Sequence, residues 1–451
     1  MSEKRSVTFE LARWAASPDL RLPPPVLEHT RLALLNIAGC ILGGCHHEAV
    51  DASLRALSVG GATGNTPVIG RTERLSKLEA AYINSLSSTL HTFDDTHLHS
   101  VVHPTGPSAA ALYSLIESGE FSSDEFLVAL AVGIEVSCRL GSLLTQPPAR
   151  SHVGAFLTGL TCGVGAAAAC GRLLRLDDVT MTSALGCAMQ HSSGTRASHG
   201  THGGAIAPAL AARGGLYSAL LAAEGFDGGQ HGLDGPNGFA QLHGSVPPDA
   251  VLNGLGTRYE LLDVTFKPYP CGVVIHPAID AGLMLYGRIA YDDIERIEVK
   301  SHPLVLRLTG KRHPSNGFEA KASVFHWLAV AVARGTAELQ DATEERVSDP
   351  MIGALRDRIF VTTDETLASD EMRLNFVRRS GEETAIHIDH ATGSIQNPMR
   401  PDQLRLKFMG QAVPVIGSDS SSRFADACLR PSDDDSLIHA LRALMNATKG
   451  H

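Results

Sequence analysis

Cysteine is scarce and unpatterned in this chain. Its eight residues, Cys40, Cys45, Cys138, Cys162, Cys170, Cys187, Cys271 and Cys428, show no CxxC spacing and sit mostly in apolar or small-residue runs. That argues against a disulfide framework and reads as reduced, cytosolic thiols. Charge is scarce as well: 19% of residues are charged, and a net charge of -10 with scattered Lys and Arg leaves no electrostatic footprint for nucleic acid or an anionic membrane. The N-terminal stretch MSEKRSVTFELARWAAS lacks a long apolar h-region, so neither a signal peptide nor a membrane span is expected. Also missing are the GxxxxGK of a phosphate loop, the GxSxG of a serine nucleophile elbow and the HExxH of a zinc hydrolase. Small molecules remain as the favoured partner class.

What is present is a well-cored globular chain. With 451 residues, 43% of them hydrophobic, it exceeds what one core usually supports, and two domains are expected. From residue 5 to about 255 the apolar residues recur at three- and four-residue intervals. Val26 to Leu42, Leu75 to Leu90, Ser123 to Leu143, Val179 to Met189 and Leu210 to Ala223 read as helices. Ser122 to Glu125 and Asp177 to Thr180 carry helix-entry signals. The GVGAAAACG run from Gly163 to Gly171 is too short and too rich in glycine for a membrane segment and reads as a tightly packed core helix. Beyond Thr257 the character changes. Tyr259 to Phe266, Ile294 to Val299, Ile359 to Thr363, Met372 to Arg378 and Thr384 to Asp389 read as strands. Helical runs at about 273–286, 320–334 and 343–355 lie between them, Ser418 to Ser422 reads as a short loop, and helix returns after Asn397-Pro398. The fold class is therefore mainly α with a smaller α+β part.

Chemistry concentrates in His91-Thr-Phe-Asp94-Asp95-Thr96-His97-Leu-His99-Ser-Val-Val-His103-Pro104. Such groups are costly to bury unless they pair or act on a ligand. Lys267, held between a strand end and the Pro268-Tyr269-Pro270 turn and followed by His276, is suited to a carboxylate or enolate oxygen. A surface lysine on a rigid turn is the bland alternative. The Gly-rich loop Thr195-Arg196-Ala-Ser-His199-Gly-Thr-His202 leads into a helix whose amides suit an anion. His326 lies among apolar neighbours, where a satisfied core histidine is the commoner outcome. Asp94, Asp95, His97, His99 and His103 offer enough ligands for zinc or manganese, without a recognised zinc spacing.

The succession HTFDDTHLHSVVHPTG, the GxxxTGxxxGxGAAAA run of Gly154 to Ala169, GLYSALLAAEGFDG, FKPYPCGVVIH and EAKASVFHW resembles the MmgE/PrpD family. Its members include 2-methylcitrate dehydratases, cis-aconitate decarboxylases and iminodisuccinate epimerases. The resemblance implies a large helical domain (1–262, with 396–451 returning to it), an inserted α+β lid (263–395), a cytoplasmic homodimer, and an active site between domains that uses no metal or organic cofactor. It also implies a chemistry in which a carbon beside a carboxylate loses or gains a proton or CO2. On that basis His103 is the expected general acid/base, and Lys267 the partner of the substrate carboxylate and enolate charge. Thr96 and Asp94 orient substrate and imidazole; Asp95, His97, His99, Arg196, His199, His202, Tyr269, His276 and His326 are candidate substrate contacts. For Asp94 and Asp95 the bland alternative is helix capping and loop fixing.

The chain also departs from the family pattern. Phe156 stands where the resemblance expects a histidine, Gly204 and Ala207 where it expects a lysine and a second histidine, Thr92 where an aspartate is usual, and His326 in place of a tyrosine. A small carboxylate less anionic than a tricarboxylate is therefore the expected substrate. The expected reaction is a dehydratase-like elimination, with epimerisation or decarboxylation on the same scaffold, or a non-catalytic binding role, as alternatives.

Overall fold

The helix Leu157–Leu173 carries the glycine- and alanine-rich run, and its neighbours explain that composition. A Cβ on Gly165 would collide with the Ser137 side chain and the Gly133 carbonyl of the helix Ser123–Thr145. One on Gly215 of the helix Ile206–Ala223 would collide with Ala166 and the Gly163 carbonyl. Three helices thus touch backbone to backbone, a spacing only hydrogen or methyl side chains permit. The computed structural model describes residues 5–117, 119–146, 154–198, 200–244, 246–430 and 435–448.

The chain forms two units, one from Met1–Leu90, Asp94–Val264 and Arg400–His451, the other from His91–Phe93 and Thr265–Met399. The first is mostly helical, with a small hairpin of Thr66–Pro67 against Arg74–Leu75 and a short strand at Asp95–His97. Entry to the helix Ser123–Thr145 is fixed by a capping box: Ser122 Oγ accepts the Glu125 N–H at 3.1 Å and Glu125 Oε2 accepts the Ser122 N–H at 3.0 Å. Asp177 caps the helix Asp178–Met189 in the same way. The helix Pro24–Gly44 packs along Pro401–Leu429, with Gly39 3.2 Å from Phe408 for a would-be Cβ and Lys407 Nζ donating to Asn36 at 2.7 Å.

Among the described residues three helices, Pro24–Gly44, Ser123–Thr145 and His202–Ala223, are long and apolar enough by length and composition to cross a membrane. Their most apolar stretches are 72%, 89% and 56% buried inside the fold. All eight cysteines are unbridged and buried.

The second unit is built on a four-stranded sheet ordered Ile359–Thr363, Ile294–Ser301, Met372–Arg378, Glu383–Ile388. Only the first pair is parallel, so a long helical connection separates its strands. Ile297 stands opposite both Ile359 and Phe376, and Val299 opposite Val361 and Leu374. That alternation places one apolar face against the helices His276–Leu285 and Val324–Arg334. Overall 59% of the chain is helical and 10% strand, a mainly α protein with a small sheet.

Three local expectations are corrected. Tyr259 to Phe266 is not one strand: Glu260–Asp263 is a 3-10 turn and only Val264–Phe266 is extended, because the amides of Glu260 and Leu261 are drawn to the Glu135 carboxylate. Ser418 to Ser422 lies within the helix Pro401–Leu429, restarted after a break at Gly417 (φ 80°, ψ 165°), rather than in a loop. The run 343–355 is divided into Glu344–Ser348 and Pro350–Arg356, since Pro350 cannot continue a helix and Asp349 caps the second piece.

Replacing Gly165 by valine should cost about 3 kcal/mol or more, read as a lowered thermal midpoint. Gly410, in the helix Pro401–Leu429 with no atom within 4 Å of a would-be Cβ, is the control: Gly410→Ala should leave stability unchanged or raise it by roughly 0.5–1 kcal/mol.

Candidate active site

The polar loop is split between the units. His91–Phe93 belongs to the second and Asp94 onward to the first. In the first unit Asp94, Asp95, Thr96 and His97 are all buried. The Asp95 carboxylate receives the hydroxyl of Thr105, the first residue of the helix Thr105–Ile116. This supports the bland reading for Asp95, a residue that fixes loop to helix.

His103 is the loop's partly open imidazole, with its side chain 20% exposed. Its Nδ1 is 2.7 Å from the Asp95 carbonyl oxygen and 3.2 Å from Thr96 Oγ1, and the Asp94 carboxylate lies 3.9 Å away. A carbonyl oxygen only accepts, so Nδ1 carries the proton and Nε2 the lone pair of the neutral ring. The carboxylate of Asp94 favours the imidazolium once Nε2 takes a second proton. The backbone below is fixed too: the His103 N–H donates to Thr158 Oγ1 at 3.1 Å, and Cys162 Sγ lies 3.6 Å from the His103 carbonyl. Phe156 sets its ring edge-on to the imidazole, centroids 6.3 Å apart and planes at 63°. The Phe156 strand is pinned to the Gly-rich loop, Phe156 N–H to Gly194 O at 3.1 Å and Arg196 N–H to Gly154 O at 2.7 Å, so Arg196 is carried by the segment next to Phe156.

The other loop histidines are not gathered around His103 as a set. His97 is fully buried, with Nδ1 2.7 Å from Ser100 Oγ and Nε2 3.4 Å from Glu260, contacts that fix the loop. Burial opposes ionisation of Glu260, but hydrogen bonds from His97 and Ser142 and the charge of Arg258 outweigh it and hold its pKa at about 2. His99 points to solvent beside Asp263 at 3.5 Å. His202 sits on the surface, 3.2 Å from Glu48 and edge-on to His47. His199 lies outside the described residues. Among the described residues no group of three or more His, Cys, Asp or Glu side chains is arranged to hold a metal ion; the five loop ligands diverge as just described.

Sequence reasoning missed Thr158, Glu260 and the pair behind them. Glu135 and Arg139, one turn apart in an otherwise apolar helix, are buried in contact at 2.6 Å. Arg139 donates to the carbonyls of Val251 (2.8 Å), Asn253 (3.0 Å) and Arg258 (2.6 Å), while Glu135 accepts the amides of Glu260 and Leu261. An i, i+4 ion pair in an apolar helix was the available signal.

In the second unit Lys267 is 2% exposed, not a surface lysine. Its Nζ donates to the Thr92 carbonyl at 3.2 Å. Thr92 itself is held at φ 54°, a left-handed conformation that a β-branched residue enters only at a cost of order 1–3 kcal/mol. The Lys267 turn is closed from behind by Gly393 (φ 83°), where a Cβ would strike the Phe266 carbonyl and Pro268. Tyr269 donates to Asp280 at 2.6 Å and meets the buried His276 edge-on at 5.5 Å. Burial, then the neighbouring Asp280, raises the Tyr269 phenol well above its usual range.

His326 lies buried in the core of the second unit. It is 0% exposed, and its Nε2 donates to the Asp341 carbonyl at 2.7 Å. Burial, aided by the charge of Arg356, lowers its pKa to about 4. The unfolded chain therefore takes up a proton near pH 6.5 that the folded state refuses until about pH 4, and stability falls as pH drops through that window. The loss should approach about 3 kcal/mol, and His326→Gln, which keeps the donor, should flatten thermal-melt curves between those pH values. Arg139→Met, which leaves the Glu135 carboxylate buried alone, should cost about 3–5 kcal/mol in a denaturant titration.

Comparison with known proteins follows the same plan. The MmgE/PrpD N-terminal domain matches residues 10–249 and the MmgE/PrpD C-terminal domain residues 269–430. Cis-aconitate decarboxylase of Mus musculus is 24% identical over 418 residues, 88% of this chain and 84% of that protein. The Homo sapiens cis-aconitate decarboxylase is 24% identical over 415 residues, 88% and 85%. Cis-aconitate decarboxylase-like protein oryM of Aspergillus oryzae is 29% identical over 296 residues, so the match spans only 61% of that protein and 61% of this chain. With both domain models matched in order over most of its length, the chain belongs to the MmgE/PrpD family.

Proposed function

We propose that the protein is an enzyme, a lyase that moves a proton at a carbon next to a carboxylate in a small carboxylic acid. The observation that carries this reading is the fixed tautomer of His103, with Nδ1–H spent on the Asp95 carbonyl and Asp94 placed to support the imidazolium. In the elimination direction Nε2 takes the acidic hydrogen, the C–H electron pair forms the new double bond, and the imidazolium so formed gives that proton to the departing β-hydroxyl, which leaves as water. Lys267 is assigned the substrate carboxylate whose enolate-like charge grows meanwhile, and its burial strengthens that attraction. Thr96 orients the ring, and Arg196 and His276 are further contacts for the acid. The enzyme is taken to work as a cytosolic homodimer.

Decarboxylation is the second reading, favoured by the names of the relatives, which are cis-aconitate decarboxylases. There the C–C bond to the departing CO2 breaks, its electron pair passes into the conjugated acid, and the His103 imidazolium returns a proton to carbon. Both reactions use one proton carrier in opposite directions.

Incubation in heavy water with a panel of hydroxy-, amino- and unsaturated carboxylic acids separates them. The wild type should place deuterium on carbon in at least one acid, with water loss or CO2 release naming the reaction. His103→Ala should slow the exchange about a thousandfold and Lys267→Met about a hundredfold, with the fold retained by circular dichroism. Exchange at wild-type rate in both variants, or activity that follows stoichiometric zinc and disappears with a chelator, overturns the assignment.

A further inference from the structure

The imidazole of His103 is furnished asymmetrically. Around Nδ1 lie a carbonyl, a hydroxyl and a carboxylate, from Asp95, Thr96 and Asp94. Against the ring stands the edge of Phe156, a side chain only 7% exposed. Phe156 is not placed by packing alone. Its N–H is bonded to the Gly194 carbonyl, Ala155 bridges Thr195, and the following residues enter the helix Leu157–Leu173, whose Thr158 holds the His103 amide. The phenyl ring and the base are thus locked to one another through the same short segment.

A phenyl ring offers no hydrogen bond and no charge to an anionic group, and placing a carboxylate against it removes water without replacing it. A hydrocarbon group against the same ring is stabilised by burial. From this we infer that Phe156 is a specificity-determining residue: it selects acids that carry an alkyl or alkylidene group, not a second carboxylate, beside the carbon at which His103 moves the proton. The inference rests on the proposed role of His103 and narrows the substrate class to short, branched or unsaturated acids whose carboxylates are held away from the imidazole.

The test uses acids that differ only by a methyl against a carboxymethyl substituent next to the exchanging carbon, compared by kcat/KM for exchange or turnover. The wild type should prefer the methyl compound by about tenfold or more, the scale of one hydrocarbon group in an apolar pocket. Phe156→Leu should keep that preference, and Phe156→His should reduce or invert it by raising KM for the methyl acid and lowering it for the dicarboxylate. Thermal melts confirm that each variant is folded. A wild type preferring the carboxymethyl acid, or a ratio unchanged within about twofold in Phe156→His, overturns the inference while leaving the role of His103 in place. If no acid in the panel exchanges, the reading of His103 fails, and the inference with it.

Discussion

A carboxylate and a guanidinium buried together in the middle of a helix hold the helical unit in order. Glu135 and Arg139 are almost wholly out of water, and neither would be tolerated there alone. Together they leave spare lone pairs and donors, and these are used on the backbone of residues 251–261. The segment is thereby wound into a 3-10 turn that offers Glu260 to His97. His97 in turn closes on Ser100 and, through its amide, on the Val102 carbonyl at 2.8 Å, which sets the entry to His103. A charge pair far along the sequence thus decides where an imidazole points.

The same residue type meets four environments within one loop and its surroundings. His97 is sealed in, His99 faces water, His103 is half-enclosed with one nitrogen committed, and His326 in the other unit is held neutral by burial. A general acid/base needs a ring that a ligand can reach and that can hold charge, and the partly open setting of His103 beside Asp94 is what the proposed role draws on. Lys267 shows the complementary economy: a buried ammonium kept in place by the carbonyl of a strained residue, Thr92.

How much of this was legible in the sequence depended on how local its cause was. The helices were, because three- and four-residue periodicity and caps such as Ser122 with Glu125 are written within a few residues. The strands of the second unit were, because Ile294 to Ser301 alternates inward and outward. Tyr259 to Phe266 misled because the force that bends it comes from Glu135, over a hundred positions away. Ser418 to Ser422 misled because serine composition outweighed the neighbouring helical pattern. His103, Asp94, Thr96 and Lys267 stood out in the sequence as candidates, whereas the surroundings of His97 and His202 did not, since they are set by Glu260 and Glu48 from distant segments. The burial of His326 accords with the bland reading of that residue.

The pairing of Pro24–Gly44 with Pro401–Leu429 has a consequence for how the chain is made. Asn36 emerges from the ribosome 371 residues before Lys407, its partner, a wait of roughly 20–75 seconds at ordinary synthesis rates. Throughout that interval the face of Pro24–Gly44 bearing Asn36, Gly39 and Gly43 has been translated while the helix bearing Phe408 and Gln411, which finally packs on it, has not. A nascent polypeptide in that condition is a natural client for holding chaperones, and codon usage between the two helices becomes a determinant of yield.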